Sequence, residues 1–364
     1  MKFTVDYPIV NVGYDPALVT AAGLTAVARA AEEYGYDAIS FSEHPAPSAK
    51  WLNAGGHESL DQTSALAFCA AVTSRVRLMT YLLVLPYHNP FLAAKALSTV
   101  DLLSGGRLTV VAGTGYLRSE FLALNVDMNQ RNELFDESLE VMRGVWAGDP
   151  FTHQGKHFSA RGVASLPGPA QRGGPPVLIG GNSTLARDRA ARNQGWSPLM
   201  VSQEVARTSR TPGIGTVAEL AAKIKEVRDA AAQRGGDPAA LTIQVHTPQA
   251  GFIQRCGSAE EHRDHLGQLA EAGVDSFVVR PPGDNLDRTI DSLRRYAAAF
   301  LKELCRSRRH RRQARPSPGV RPVSGRRRPP SLAPSVSGKR LIPVCSGAAV
   351  VWGRESGSSR RGCR

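Results

Sequence analysis

The sequence predicts an α/β protein: a (β/α)8 TIM barrel with an insertion after its fourth helix, followed by a basic C-terminal tail expected to be disordered. Three observations carry that expectation. Apolar runs of strand length alternate eight times with amphipathic runs of helix length between residues 1 and 301. Strands separated by helices pair in parallel, because a parallel pair needs a crossover, and eight such units fit a closed barrel better than an open sheet. The phrases "EEYGYDA" and "EAGVDS", one near each end, both place Gly behind a helix and Asp before the next strand. Gly takes the left-handed conformation that ends a helix, so the two phrases read as one repeated unit.

The elements follow in order. The apolar run Lys2–Val5 is the first strand, and the Ala-rich amphipathic run Leu18–Glu33 its helix. Ala38–Phe41 and Gln62–Thr73 form the second unit, Arg77–Leu83 and Phe91–Leu103 the third. "LSGGRL" then repeats the Gly punctuation ahead of Arg107–Ala112, and Arg131–Trp146 closes the fourth unit. Residues 147–176 break the rhythm: they are rich in Gly and Pro, with short β-like pieces around Phe151 and His157–Phe158. A loop this long is usually functional. It is expected at or beside the open mouth, shaping a substrate pocket together with the polar loop 202–216. The remaining strands are Val177–Ile179, Pro198–Val201, Thr242–His246 and Ser276–Val279. Their helices are Leu185–Arg192, Val217–Arg234, Ala259–Ala272 and Asn285–Leu301.

The net charge of +13 suggests an acidic partner until it is located. Residues 305–364 hold 16 of the 45 Lys and Arg against one acid, Glu355. Residues 1–304 are left with 29 basic and 31 acidic groups, a net of −2. The domain boundary is therefore set at 304. The barrel does not announce a nucleic-acid partner; only the tail does, and high charge with few aromatics predicts disorder there. Of the five cysteines none has metal or redox spacing, and Cys69 reads as a buried small apolar residue. No apolar run reaches the roughly 18 residues of a membrane span, and the first residues lack the apolar core of a signal peptide. A cytoplasmic protein is expected. His262 and His265 lie three apart on what reads as a solvated helix and are not expected to hold a metal.

Candidate chemistry sits where strands end, since barrels place catalytic groups at the C-terminal ends of their strands. Strand two runs into "FSEHPAP", so Glu43 and His44 stand at the mouth, with His44 able to move a proton near neutral pH. Strand three leads to Thr80 and Tyr81. Strand four ends in "AGTGYLRSEF", where Gly113 and Gly115 allow a close backbone approach and Tyr116, Arg118, Ser119 and Glu120 follow. Strand five ends in "PVLIGGNST": Gly180, Gly181 and Asn182 at a helix start favour a phosphate, while a plain cap by Ser183 or Thr184 is the alternative.

These stretches, with "RLMTYLLVLPYHNPFLAAKALSTVDLLSGGRL" the most specific, resemble the luciferase-like monooxygenase superfamily, in its branch using the deazaflavin coenzyme F420. The resemblance spans the barrel and implies a cofactor ring across the strand ends. It implies His44 near the redox centre, with Glu43 tuning it, and a non-proline cis peptide at Thr80–Tyr81 against the ring. Tyr116 and Ser119 would touch the cofactor's polar side, and Gly180, Gly181 and Asn182 would hold its phosphate. Glu43 stands where the family often has Asp, and Tyr81 is bulkier than its usual counterpart. The implied activity is hydride transfer between F420 and a small organic substrate. The alternatives are an FMN-dependent monooxygenase of the same fold and a non-catalytic cofactor-binding protein. A homodimer is also implied as the family's usual assembly.

Overall fold

The computed structural model describes residues 1–10, 13–201, 206, 211–255 and 257–301. The tail assigned to 305–364 and most of the 202–216 loop lie outside the described residues. In chain order the strands are β1 (Lys2–Asp6), β2 (Ala38–Phe41), β3 (Arg77–Thr80), β4 (Leu83–Val84), β5 (Leu108–Gly113), β6 (Phe151–Gln154), β7 (Ser159–Val163), β8 (Val177–Gly180), β9 (Gly195–Ser197), β10 (Thr242–Val245) and β11 (Ser276–Val279). The principal helices are α1 (Ala21–Tyr34), α2 (Ala49–Asn53), α3 (Gln62–Val72), α4 (Pro90–Leu103), α5 (Arg118–Ala123), α6 (Arg131–Trp146), α7 (Thr184–Ala191), α8 (Val217–Gln233), α9 (Ala259–Glu271) and α10 (Leu286–Tyr296).

The sheet runs β3-β2-β1-β11-β10-β9-β8-β5-β4, and a further β3–β5 pairing closes it. Every pairing in that sheet is parallel. The eightfold barrel is therefore present, with β4 a continuation of the third strand. Alternation along the strands sorts the side chains. Phe3, Ile39, Leu78, Val110, Ile179, Trp196, Ile243 and Phe277 join the large core under the helices. Ala38, Met79, Val111 and Leu178 form a second cluster, inside the barrel. Across the lumen from them the inward positions are polar. Thr4 Oγ1 donates to Gln244 Oε1 at 3.1 Å and lies 3.3 Å from Ser276 Oγ.

Three elements depart from expectation. The third strand is not continuous: Tyr81 and Leu82 bulge out of it, joined by a cis peptide, and pairing with β5 resumes at Leu83. The cis bond lies one residue later than Thr80–Tyr81. The sixth strand is Gly195–Ser197 rather than Pro198–Val201. Its Gly195 admits no Cβ, because that atom would stand 2.1 Å from the Thr242 carbonyl oxygen. The close approach hides a strand behind a residue that propensity disfavours. Beyond it, Leu199 makes an isolated parallel bridge to His246 and Val201 an antiparallel one to Ile214.

The insertion also lies elsewhere. It leaves the end of α6 and enters the start of β8, so it belongs to the N-terminal face of the barrel, opposite the mouth. Its β6–β7 hairpin is antiparallel and packs along α6, where Glu137 accepts the backbone N–H groups of His157 and Phe158. Further on, Gln171 donates to Asp101 near the end of α4 and to the Leu108 carbonyl at the start of β5. A βα barrel places helix-to-strand connections on the face away from its catalytic loops, so a pocket-shaping role for 147–176 is withdrawn.

Candidate active site

Pro45 and Pro47 end regular structure after β2, since neither offers an N–H to a ladder or helix. Ser48 then caps α2 by accepting the Trp51 N–H. The short turn holds His44 in an aromatic cage. Its ring lies 4.6 Å from Trp51, 4.8 Å from His57 and 6.1 Å from Tyr116, centroid to centroid. Its backbone N–H donates to Ser59 Oγ at 2.8 Å.

The carboxylate that meets His44 is not its neighbour. His44 Nδ1 lies 3.3 Å from Glu120 Oε2, and Glu120 is 1% exposed. Tyr87 donates to the same oxygen at 3.0 Å. The Tyr87 hydroxyl is held strongly toward its protonated form, by burial and then by the Glu120 charge. Tyr116 is pushed up to about 12 by the same two causes. Both phenols are therefore neutral hydrogen-bond donors near neutral pH. His57 is held down to about 4, chiefly by burial, with His44 and Arg280 adding to the effect.

Glu43 faces the other way. One oxygen accepts the Val84 N–H at 2.5 Å and the other meets His88 Nε2 at 2.7 Å. Burial disfavours charge on His88, but the Glu43 contact, with Asp61 behind it, outweighs that and raises its pKa. Glu43 thus fastens β4 directly after the Tyr81–Leu82 bulge. The expectation that it tunes His44 is corrected: Glu120, from α5, stands in that position.

Leu82 lies across the mouth between the ends of β5 and β8. A Cβ at Gly113 would meet its Cδ1 at 2.7 Å, and one at Gly180 its Cδ2 at 2.5 Å. Those glycines make room first for Leu82, which rests on the apolar cluster inside the barrel. Gly115, at φ 73°, makes the turn that presents Tyr116. Ser119 is half-buried on the first turn of α5. Thr80 is fully buried, and its hydroxyl both donates to the Val111 carbonyl and accepts its N–H, each at 2.9 Å. That side chain is committed to the ladder. Gly181 sits at φ 100° and accepts the Trp196 indole N–H. Asn182 donates to the Leu199 and Pro212 carbonyls and accepts the Leu199 N–H. Its amide clamps the loop after β9. Ser183 caps α7 by accepting the Ala186 N–H, the plain cap that the sequence offers as the alternative to a phosphate site, and the first turn of that helix is exposed.

A second group at the mouth was passed over in the sequence. Asp6 ends β1 and Arg280 follows β11. Arg280 Nε and Nη2 both donate to Asp6 Oδ2, at 3.1 and 2.9 Å. Tyr81 lies close enough to feel both charges, and its hydroxyl is kept protonated chiefly by burial. The signal was the one that singled out "FSEHPAP": a charge where an apolar strand stops. "FTVD" and "FVVRPP" carry it too. Glu120 was visible only as one of several polar residues after strand four. Among the described residues no cluster of His, Cys, Asp and Glu could hold a metal. His262 is buried rather than solvated, its ring nitrogens 2.7 Å from Gln249 Oε1 and 2.9 Å from the Tyr296 hydroxyl. A cleft of about 320 Å³ beside Arg143, Trp146 and Gln171 lies at the opposite face, away from His44.

The family described as luciferase-like monooxygenase matches residues 1–248. An FMNH(2)-dependent dimethylsulfone monooxygenase of Pseudomonas putida is 32% identical over 143 residues, 38% of each chain. The chain therefore spans about two-fifths of that relative's length. The crystal structure of the monooxygenase RslO1 from Streptomyces bottropensis superposes with a TM-score of 0.67 at 22% identity, covering 84% of this chain and 100% of that one. The coenzyme F420-dependent tetrahydromethanopterin reductase of Methanopyrus kandleri gives 0.63 at 13% identity, covering 83% and 99%. At these identities the two structures share a fold with this chain.

Proposed function

The chain belongs to the luciferase-like monooxygenase family, and we propose that it is an oxidoreductase holding F420 at the barrel mouth and acting on a small organic substrate. The observation that carries this reading is the half-buried His44 held against the buried Glu120, facing the same mouth as the Leu82 ledge. The residues fit a planar tricyclic ring. Leu82 offers an apolar face between Gly113 and Gly180, where a Cβ on either glycine would collide with it. When bound, the deazaflavin supplies hydride transfer at its ring carbon.

The remaining work falls to the chain. His44, oriented by Glu120 and by Ser59 on its backbone, holds or delivers a proton at a ring nitrogen. Tyr87 donates to the Glu120 carboxylate and so fixes the oxygen that meets the imidazole. Trp51 and His57 cover the imidazole and exclude water. Glu43 acts through the backbone, holding the segment that carries Leu82. Tyr116 and Ser119 would meet the cofactor's polar side, and Gly180, Gly181 and the first turn of α7 its phosphate. Second comes FMN with oxygen, favoured by the FMNH(2)-dependent relative.

Titration of the full chain with F420 and FMN side by side, followed by intrinsic fluorescence, tests the reading. Micromolar or tighter binding of F420 is expected, with His44→Ala keeping that binding while abolishing turnover. Preference for FMN transfers the assignment to the oxygen-using reading. Turnover undiminished in His44→Ala removes the proton role, and binding of neither removes the proposal.

A further inference from the structure

Four arginines line two adjoining clefts on the N-terminal face of the barrel, and two of them have no acid to meet. Arg192, which caps α7, and Arg234, which caps α8, both bond the Asp188 carboxylate. Arg143 stands in the last turn of α6, and its guanidinium donates to the Asn193 side-chain oxygen. Arg172 sits on the turn that leads the insertion into β8. Among the described residues no carboxylate forms an ion pair with Arg143 or Arg172. The pKa of Arg143 is lowered, first by burial and then by the like charge of Arg192. The body to residue 304 is slightly acidic, so this is a local excess of positive charge.

Both unmatched cations line one cleft of about 320 Å³, between the last turn of α6 and the segment 171–177. The turn that carries Arg172 is pinned. The Gly174 N–H donates to the Gln171 carbonyl at 2.9 Å, and the Gln171 side-chain amide is fixed to Asp101 and to the Leu108 carbonyl. Gly174, at φ 100°, lies so close to the Trp146 ring that a Cβ would stand 2.2 Å from its Cε3. Trp146 is itself buried and donates to the Ala94 carbonyl at 3.1 Å. Arg172 is therefore presented by a turn held in place from both sides. A third donor joins the two guanidinium groups. Gln194 gives its Oε1 to the Val177 N–H at 3.0 Å, which leaves its Nε2 unbonded. Pro175, Pro176 and Val177 supply an apolar wall.

A helix C-terminus favours a cation, and that accounts in part for Arg143. It does not account for Arg172, which belongs to no helix, nor for two guanidinium groups brought to one cleft without an acid. Those groups select an anion. A monocarboxylate matches one of the two charges. A phosphoryl group carries about −1.5 to −2 at neutral pH with three acceptor oxygens, and so matches both guanidinium groups and the Gln194 amide. The cleft stands at the small end of ligand pockets, which run from roughly 300 to 1,000 Å³, so whatever carries the phosphoryl group is small.

We propose that this cleft binds a phosphoryl group, its oxygens accepting from Arg143, Arg172 and Gln194 Nε2, with any organic part lying on the Pro175–Val177 wall. The site is separate from the barrel mouth. Val177 begins β8 and Gly180 ends it, so the length of that strand lies between this cleft and the turn assigned above to the cofactor's phosphate. The proposal is independent of which cofactor the mouth holds, and of whether it holds one.

The test is calorimetric titration of the full chain at neutral pH and constant ionic strength, with no cofactor and no turnover needed. The probes are glycerol 3-phosphate, inorganic phosphate and acetate. Both phosphates are expected to bind about tenfold more tightly than acetate, or better. In Arg143→Gln and in Arg172→Gln their affinity should fall about tenfold, the equivalent of one charge-assisted hydrogen bond. The basic residues beyond 304 are common to wild type and variants, so any binding there cancels in the comparison. Melting curves confirm that each variant is folded. Arg172→Gln alters an exposed side chain on a turn, and it decides the matter should Arg143→Gln not fold. A tighter fit for glycerol 3-phosphate than for inorganic phosphate assigns the site to an ester, and equal affinity assigns it to the free anion. Phosphates that bind no tighter than acetate overturn the proposal. So does an affinity unchanged in folded Arg143→Gln and Arg172→Gln, which would put the anion on other basic residues.

Discussion

Adjacent residues at a strand end point in opposite directions, and that alternation divides the labour between Glu43 and His44. The imidazole turns to Glu120, and the carboxylate turns to Val84 and His88. A sequence reading pairs neighbours because spacing is all it has. It cannot see that a carboxylate 76 residues further along approaches the same ring. The division predicts different mutant phenotypes. Glu43→Ala leaves a buried Val84 N–H without an acceptor and frees His88, which should lower unfolding stability by about 2–3 kcal/mol. Urea unfolding measures this directly. Unchanged stability would mean that Glu43 does not fasten β4, and its assignment to His44 would return.

The elements show which signals a sequence transmits. "LSGGRL" was read as helix punctuation, and the structure gives it a second use. Gly105 and Gly106 take positive φ, and Arg107 donates to the carbonyls of Ala70, Thr73, Val76 and Ser104, tying α3 and α4 to the strands between them. Periodicity located seven of the eight barrel strands because each is a short run rich in apolar residues between helical patterns. It failed at Gly195–Ser197, where close backbone approach replaces side-chain pattern. It located α9, but the reading of that helix as solvated missed one buried imidazole in its polar sequence. His262 stacks on Phe252 at 4.2 Å and is held down to about 4, mainly by burial. The unfolded chain binds a proton at that residue near its ordinary value of 6.5, where the folded one does not. Stability linked to His262 is therefore complete above pH 6.5 and declines as pH falls toward 4. His57 acts in the same direction over the same range. His88, with its raised pKa, acts oppositely and loses its contribution as pH rises. Unfolding free energies measured between pH 7 and 4.5 should fall for the wild type and fall less steeply for His262→Leu. An identical slope in the two would show that His262 is protonated in the folded state.

At the scale of the whole molecule, charge and packing separate along the chain. The body to residue 304 carries a net charge of −2, while the 16 basic residues beyond it face one acid. The large core cluster runs from Phe3 to Leu301, and β11 pairs with β1 to bring the end of the barrel back to its start. Tyr296 packs edge-on against Phe3 at 5.9 Å and Phe300 against Tyr296 at 4.8 Å, so the closing helix is fastened to the first strand from within. No helix among the described residues is long and apolar enough to cross a membrane. Everything the candidate site uses, from Asp6 to Arg280, lies inside that closed unit. A chain ending at residue 304 should accordingly unfold in one cooperative transition, with a melting temperature within about 3 °C of the full chain, because a difference below 1 kcal/mol moves a domain this large by only a few degrees. Its cofactor affinity should match that of the full chain at physiological salt. A melting temperature depressed by 10 °C, or a cofactor affinity lost on truncation, would mean that residues beyond 304 complete the core or the site, and the boundary drawn from charge alone would be wrong.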